Sequence, residues 1–99
     1  MIHHVSLELD EHDVAAEVTF WELLGFAEMT PPGALAERAR WVQRDDVQLH
    51  LMYADSPSIP RSGHVAVIVD DYDAVLARLR AARRRVVRRA AGPARCRNP

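Results

Sequence analysis

The chain has 99 residues, 48% of them hydrophobic, and a formal net charge of -1, which leaves room for one domain with a small core and none for a second domain or large insertions. Its single cysteine, Cys96, excludes an internal disulfide, and no apolar run approaches the roughly 18 residues of a membrane span. Strand-like sequence begins at Ile2, directly behind Met1, so no signal peptide is expected and a reduced, cytoplasmic setting is.

In chain order, Val5, Leu7 and Leu9 alternate with His4, Ser6 and Glu8, the pattern of a strand with one aliphatic face. Asp13 then stands as N-cap of a helix whose Val14, Val18, Trp21 and Leu24 fall on one side, and Gly25 stops it as a C′ glycine does. Phe26 to Thr30 is a short strand, and Pro31, Pro32 and Gly33 open a loop. Arg40 to Gln43 and Val47 to Tyr53 form a hairpin about Asp45 and Asp46. The later strand sets Val47, Leu49, Leu51 and Tyr53 on one face and Gln48, His50 and Met52 on the other. Residues 56–63, with Pro57 and Pro60, read as a linker.

The chain then repeats itself. HVSLELDEHD (His4 to Asp13) aligns with HVAVIVDDYD (His64 to Asp73) at an offset of 60, sharing the His-Val pair and both aspartates. The second copy predicts a strand with Val65, Val67 and Val69 on its aliphatic face, then a helix starting near Asp73 that buries Val75, Leu76 and Leu79. No glycine stops that helix; Arg83 to Arg85 stand in its place. The order is βαβββ over 1–55, linker, and a partial second module over 64–89, followed by an irregular Arg-rich tail over 90–99.

Charge separates the tail from the body. The first 73 residues hold all 14 acids against four arginines, net -10, and the last 26 hold nine arginines and no acid, net +9. A nucleic-acid arm is not expected, because no aromatic residue follows Tyr72 to interleave with the basic run. The charge break, the missing glycine and an arginine excess without a single lysine are what a shifted reading frame in GC-rich DNA would produce.

A first module opening with His-Val, the FWELLGF segment at its helix end, and a second module opening GHVAVIVDD together resemble the vicinal oxygen chelate superfamily of glyoxalases, bleomycin-resistance proteins and extradiol dioxygenases. The resemblance implies an α+β fold in which paired βαβββ modules form an open, cup-shaped mixed sheet, here with the second module truncated to βαβ plus tail. It also implies a divalent metal ion (Zn, Ni, Mn or Fe) held by His4, His50 and His64, with the open metal positions binding vicinal oxygens of a small molecule. The fourth family ligand, a glutamate after an Asp-Pro-x-Gly turn, has no counterpart here, and no catalytic residue is assigned. Trp41, Gln43, Gln48 and Met52 are expected to line the cup as substrate contacts.

Plainer roles stand beside these. His4, His50 and His64 also suit half-buried strand positions with hydrogen-bonded rings, and Glu8, two residues beyond His4 on its face, is either a substitute acid or a solvated carboxylate. His3 and His12 are read as surface residues, Phe20 and Trp21 as core, and Cys96 as an incidental thiol. Three functions follow: a metal-dependent isomerase, lyase or dioxygenase; a metal-free module that sequesters a small molecule, as bleomycin-resistance proteins do; or an inactive truncated protein. A homodimer that completes the cup is expected.

Overall fold

The structure is a computed structural model, and it describes residues 1–82. The chain falls into two compact units, Met1–His64 and one that opens at Val65. The first unit has four strands, β1 (His4–Leu9), β2 (Ala27–Met29), β3 (Ala39–Arg44) and β4 (Val47–Tyr53), with helix α1 (Val14–Leu23) between the first two. They form one mixed sheet in the order β1-β4-β3-β2. The pairs β2-β3 and β3-β4 are antiparallel, and β1 runs parallel to β4. The α+β class and the order of elements in this unit agree with the sequence pattern.

Helix α1 packs across β2 and β3 and buries Val18 and Trp21, while Val14 and Leu24 are half-buried. The sheet face it packs on carries Val42, Leu49 and Leu51, each at most 1% exposed. Burial of side chains of this size contributes about 1.5–3 kcal/mol apiece. The expected N-cap shifts, because the Asp13 side chain makes no capping bond. Asp10 caps instead, accepting from the His12 amide at 2.9 Å in front of a 3₁₀ turn, Glu11–Asp13, that leads into the helix.

The end of α1 explains the FWELLGF segment. The amide of Gly25 donates to the Glu22 carbonyl (3.0 Å) and that of Phe26 to the Trp21 carbonyl (3.1 Å), with Gly25 at φ +90. This is the Schellman closure, and the apolar contact that accompanies it is Trp21 against Phe26, centroids 5.3 Å apart at 73°. Arg44 Nη1 donates to the Leu24 carbonyl at 3.0 Å, so a strand side chain satisfies one of the last helical acceptors. A second 3₁₀ turn, Gly33–Glu37, occupies what the sequence marks only as a loop, and Asp45 takes φ 52 at the hairpin turn.

In the second unit, helix α2 (Tyr72–Ala81) begins two residues beyond the repeated aspartate Asp70, with Asp71 as its cap, accepting from the Ala74 amide at 3.0 Å. Val75 and Leu76 are buried and Leu79 is half-buried. Along 64–69, burial alternates as it does in β1, with Val65, Val67 and Val69 the less exposed residues, but no strand is assigned there among the described residues. In the first unit the matching strand pairs with β4, the last strand of its module. Residues 83–99, where the shifted frame and the tail were expected, lie outside the described residues, as does Cys96.

Gly25 provides the test of this architecture. A Cβ there would meet Arg44 Cδ at 3.3 Å on a backbone that L side chains rarely adopt. Gly25→Ala is expected to lower stability by about 1–2 kcal/mol, read as a shift of the urea midpoint at unchanged slope.

Candidate functional site

The sheet face opposite α1 carries the chemistry. Register sets Ser6 beside His50, His50 beside Trp41, Gln48 beside Gln43 and His4, and Trp41 beside Met29. Residues so paired share a face, so the four expected contact residues, Trp41, Gln43, Gln48 and Met52, stand with His4 and His50 on one surface. All four are half-buried.

Three rings stack across the strands. Trp41 and His50 lie 4.0 Å apart by centroid at 5°, and His50 and His4 lie 4.1 Å apart at 10°. Strands spaced about 4.8 Å apart hold the rings upright like plates in a rack, so ring edges form the floor of the face. Sandwiching explains why His50, on the less aliphatic side of β4, is only 9% exposed. An amide relay fixes its orientation. Gln43 Nε2 donates to the Asp45 carbonyl (2.9 Å), Gln48 Nε2 donates to Gln43 Oε1 (3.5 Å), and Gln48 Oε1 faces His50 Nε2 at 2.8 Å. With Oε1 as the acceptor, His50 carries its hydrogen on Nε2 and leaves Nδ1 as a lone-pair acceptor.

Burial pushes the His50 imidazole below the ordinary histidine range, with the nearby His4 and His3 adding to the shift. In the opposite sense, the Asp10 carboxylate, 2.8 Å from His12 Nδ1, raises His12, and the His12 amide and ring lower Asp10. Glu8 is neither a free acid nor part of the ring stack, since its Oε1 accepts the Ser58 amide at 2.8 Å and ties the linker to β1.

Two of the three histidines expected to hold a metal come together and the third does not. His4 and His50 are neighbours, but parallel rings send their in-plane lone pairs side by side, and Nε2 of His50 is held by Gln48. His64 is exposed, with Nδ1 3.2 Å from the Ser62 carbonyl. Among the described residues, no three His, Cys, Asp or Glu side chains are grouped so as to hold an ion. In this arrangement the set His4, His50, His64 does not fit the ion that the family resemblance implies. Sequence reasoning also missed two features. Met29 joins the face through the β2-β3 register, and His3 turns toward His4, with their Nδ1 atoms 3.0 Å apart.

His50 makes the pH dependence specific. Because its folded pKa is depressed, the unfolded chain takes up the proton first as pH falls. Its contribution is therefore complete above the ordinary value of 6.5 and is lost as pH drops through that value toward the folded one. His12 acts in the other direction, its stabilisation being lost as pH rises through its raised value. Histidine NMR titration is expected to show His50 titrating below 6.5 and His12 above it. Titration of both rings at the same pH, or of His50 above His12, would contradict the stacked burial.

Comparison with known proteins agrees with this fold. A family model described as a glyoxalase-like domain matches residues 6–99. The chain is similar to a crystal structure assigned to the glyoxalase family from Bacillus anthracis, with TM-score 0.79 and 21% identity over 94% of this chain and 78% of that one. It is also similar to a bleomycin resistance determinant encoded on transposon Tn5, with TM-score 0.50 and 18% identity over 89% of this chain and 69% of that one. Comparison with curated proteins gives no match. No helix among the described residues is long and apolar enough to cross a membrane. With the family match spanning nearly the whole sequence, the chain belongs to the glyoxalase-like domain family.

Proposed function

We propose that the chain binds a small, partly planar organic molecule on the ring-and-amide face of its sheet and sequesters it without transforming it. The observation that carries this reading is the Trp41-His50-His4 stack braced by Gln48 and Gln43. Aromatic edges and walls with a few fixed polar groups are what a small-molecule site requires. Ordering of the rings before binding lowers the entropic cost of recognition. The similar fold of a bleomycin resistance determinant favours a small organic molecule as the ligand.

Calorimetry with bleomycin and with a panel of bicyclic heteroaromatic amides tests it. Binding by at least one of these is expected, weakened about tenfold or more in Trp41→Ala, the usual scale for losing a buried aromatic anchor. Binding indifferent to Trp41→Ala, or none across the panel, would overturn the reading.

A second reading, a divalent-metal-dependent enzyme acting on vicinal oxygens, draws on the adjacency of His4 and His50. It needs His4 to leave the stack and His64 to join it. Near-stoichiometric metal lost in both His4→Ala and His64→Ala, measured by elemental analysis, would favour it over sequestration.

Self-association is part of the proposal. Strand β1 ends the order of the four-stranded sheet, and Ile2 beside it is 64% exposed. Among the described residues no strand pairs with the outer edge of β1, and an edge of this kind beside an exposed apolar residue favours pairing with a second copy. Sedimentation velocity is expected to show a dimer that dissociates on dilution. A single monomeric species at every concentration would count against it.

A further inference from the structure

We propose that His3 and His4 together form a two-nitrogen site for a divalent copper ion, which shares His4 with the three-histidine set that the family resemblance implies but takes its second ligand from His3. Neighbouring residues of a strand normally point to opposite faces. Here, where β1 begins, the rings turn toward one another, edge to face at 87°, with Nδ1 3.0 Å from Nδ1. Each ring offers one nitrogen at this closest approach, and both residues are exposed, so an ion and its waters can reach them.

The separation selects the geometry. With bonds of about 2.1 Å, typical of metal to imidazole nitrogen, a 3.0 Å bite subtends about 91° at the ion. A tetrahedral ion with the same bonds would need its nitrogens about 3.4 Å apart. A right-angle pair of nitrogen donors suits square-planar or tetragonal ions, and copper(II) stands highest among divalent ions for such donors. Water fills the remaining positions.

Proton bookkeeping is balanced. Without an ion, one Nδ1 carries the hydrogen that the other accepts. On binding, that proton moves to Nε2 of its own ring, which frees both Nδ1 lone pairs, and the rings turn from facing one another to facing the ion with their proton count unchanged. Stacking contributes order on one side, because His4 leans on His50, which leans on Trp41. The pair thus has one ring held by the sheet and one outside the stack. His50 itself presents its hydrogen-bearing Nε2 to Gln48 and is not counted as a ligand.

The test uses the full chain without a tag and copper(II) alone as probe, followed by calorimetry and electron paramagnetic resonance. One tetragonal copper per chain is expected, with affinity reduced about tenfold or more in both His3→Ala and His4→Ala. His64→Ala should leave it unchanged, and His50→Ala should change it by no more than about threefold, the part owed to ordering of the His4 ring. His3 is exposed and outside the ring stack, so His3→Ala should keep the wild-type melting temperature, and His4→Phe, which keeps a ring against His50 but offers no nitrogen, checks the result of His4→Ala. Three results would each overturn the proposal. Loss in His3→Ala with full retention in His4→Ala would place the ion on the terminal amine and backbone nitrogens. Loss tracking His4, His50 and His64 but not His3 would place it on the family set. Absence of stoichiometric copper would remove the site altogether.

Discussion

The parallel pairing of β1 with β4 is the constraint on which the candidate site rests. The two antiparallel pairs join segments close in sequence, whereas β1 must wait for the whole module to be made before its partner exists. That pairing alone brings His4 beside Gln48 and Ser6 beside His50. A slip of one residue would turn Val5, Leu7 and Leu9 to the chemical face and the histidine into the core. Aliphatic burial under α1 thus fixes the register on one side of the sheet, and the fixed register composes the ring stack on the other. Stability and site composition are two faces of one hydrogen-bond ladder.

The stack converts strand spacing into chemical character. A ring between two others loses water, so the sandwich that orders His50 also holds it neutral, while Gln48 selects which nitrogen keeps the hydrogen. Uncharged, oriented and shielded, His50 serves better as a fixed wall than as a proton carrier near neutrality, because its depressed pKa moves its titration away from that range. Glutamine relays of this kind brace rings without adding charge, which suits recognition of a neutral organic surface.

Much of the first unit was legible in the sequence because period-two patterning and helix stops are local signals. Val47 to Tyr53 is bounded as its alternation implies, and Gly25 ends α1 where a C′ glycine should. What escaped is what depends on partners. The capping role moved from Asp13 to Asp10 because a 3₁₀ turn sits before the helix, and no propensity distinguishes two aspartates three residues apart. The four expected contact residues were placed by the alternation of single strands, and register then put them on one face. Ring orientation was out of reach, since a sequence names the donors without the angle at which neighbouring strands hold them. His3 was assigned to the surface on its own, and its approach to His4 exists only in three dimensions.

The repeat carries a further lesson about equivalence. His4 and His64 occupy the same place in two copies of one pattern, which by sequence makes them interchangeable candidates. In the structure one stacks on a ring from β4 and the other turns to the carbonyl of Ser62 in its own linker. The difference lies in their neighbours. His4 has β4 beside it, with His50 only two residues beyond its register partner, whereas no strand is assigned around His64 among the described residues. A repeated residue acquires a repeated role only when the strand that orients it is repeated too, so the chemistry of a paired-module fold belongs to the ladder before it belongs to the motif.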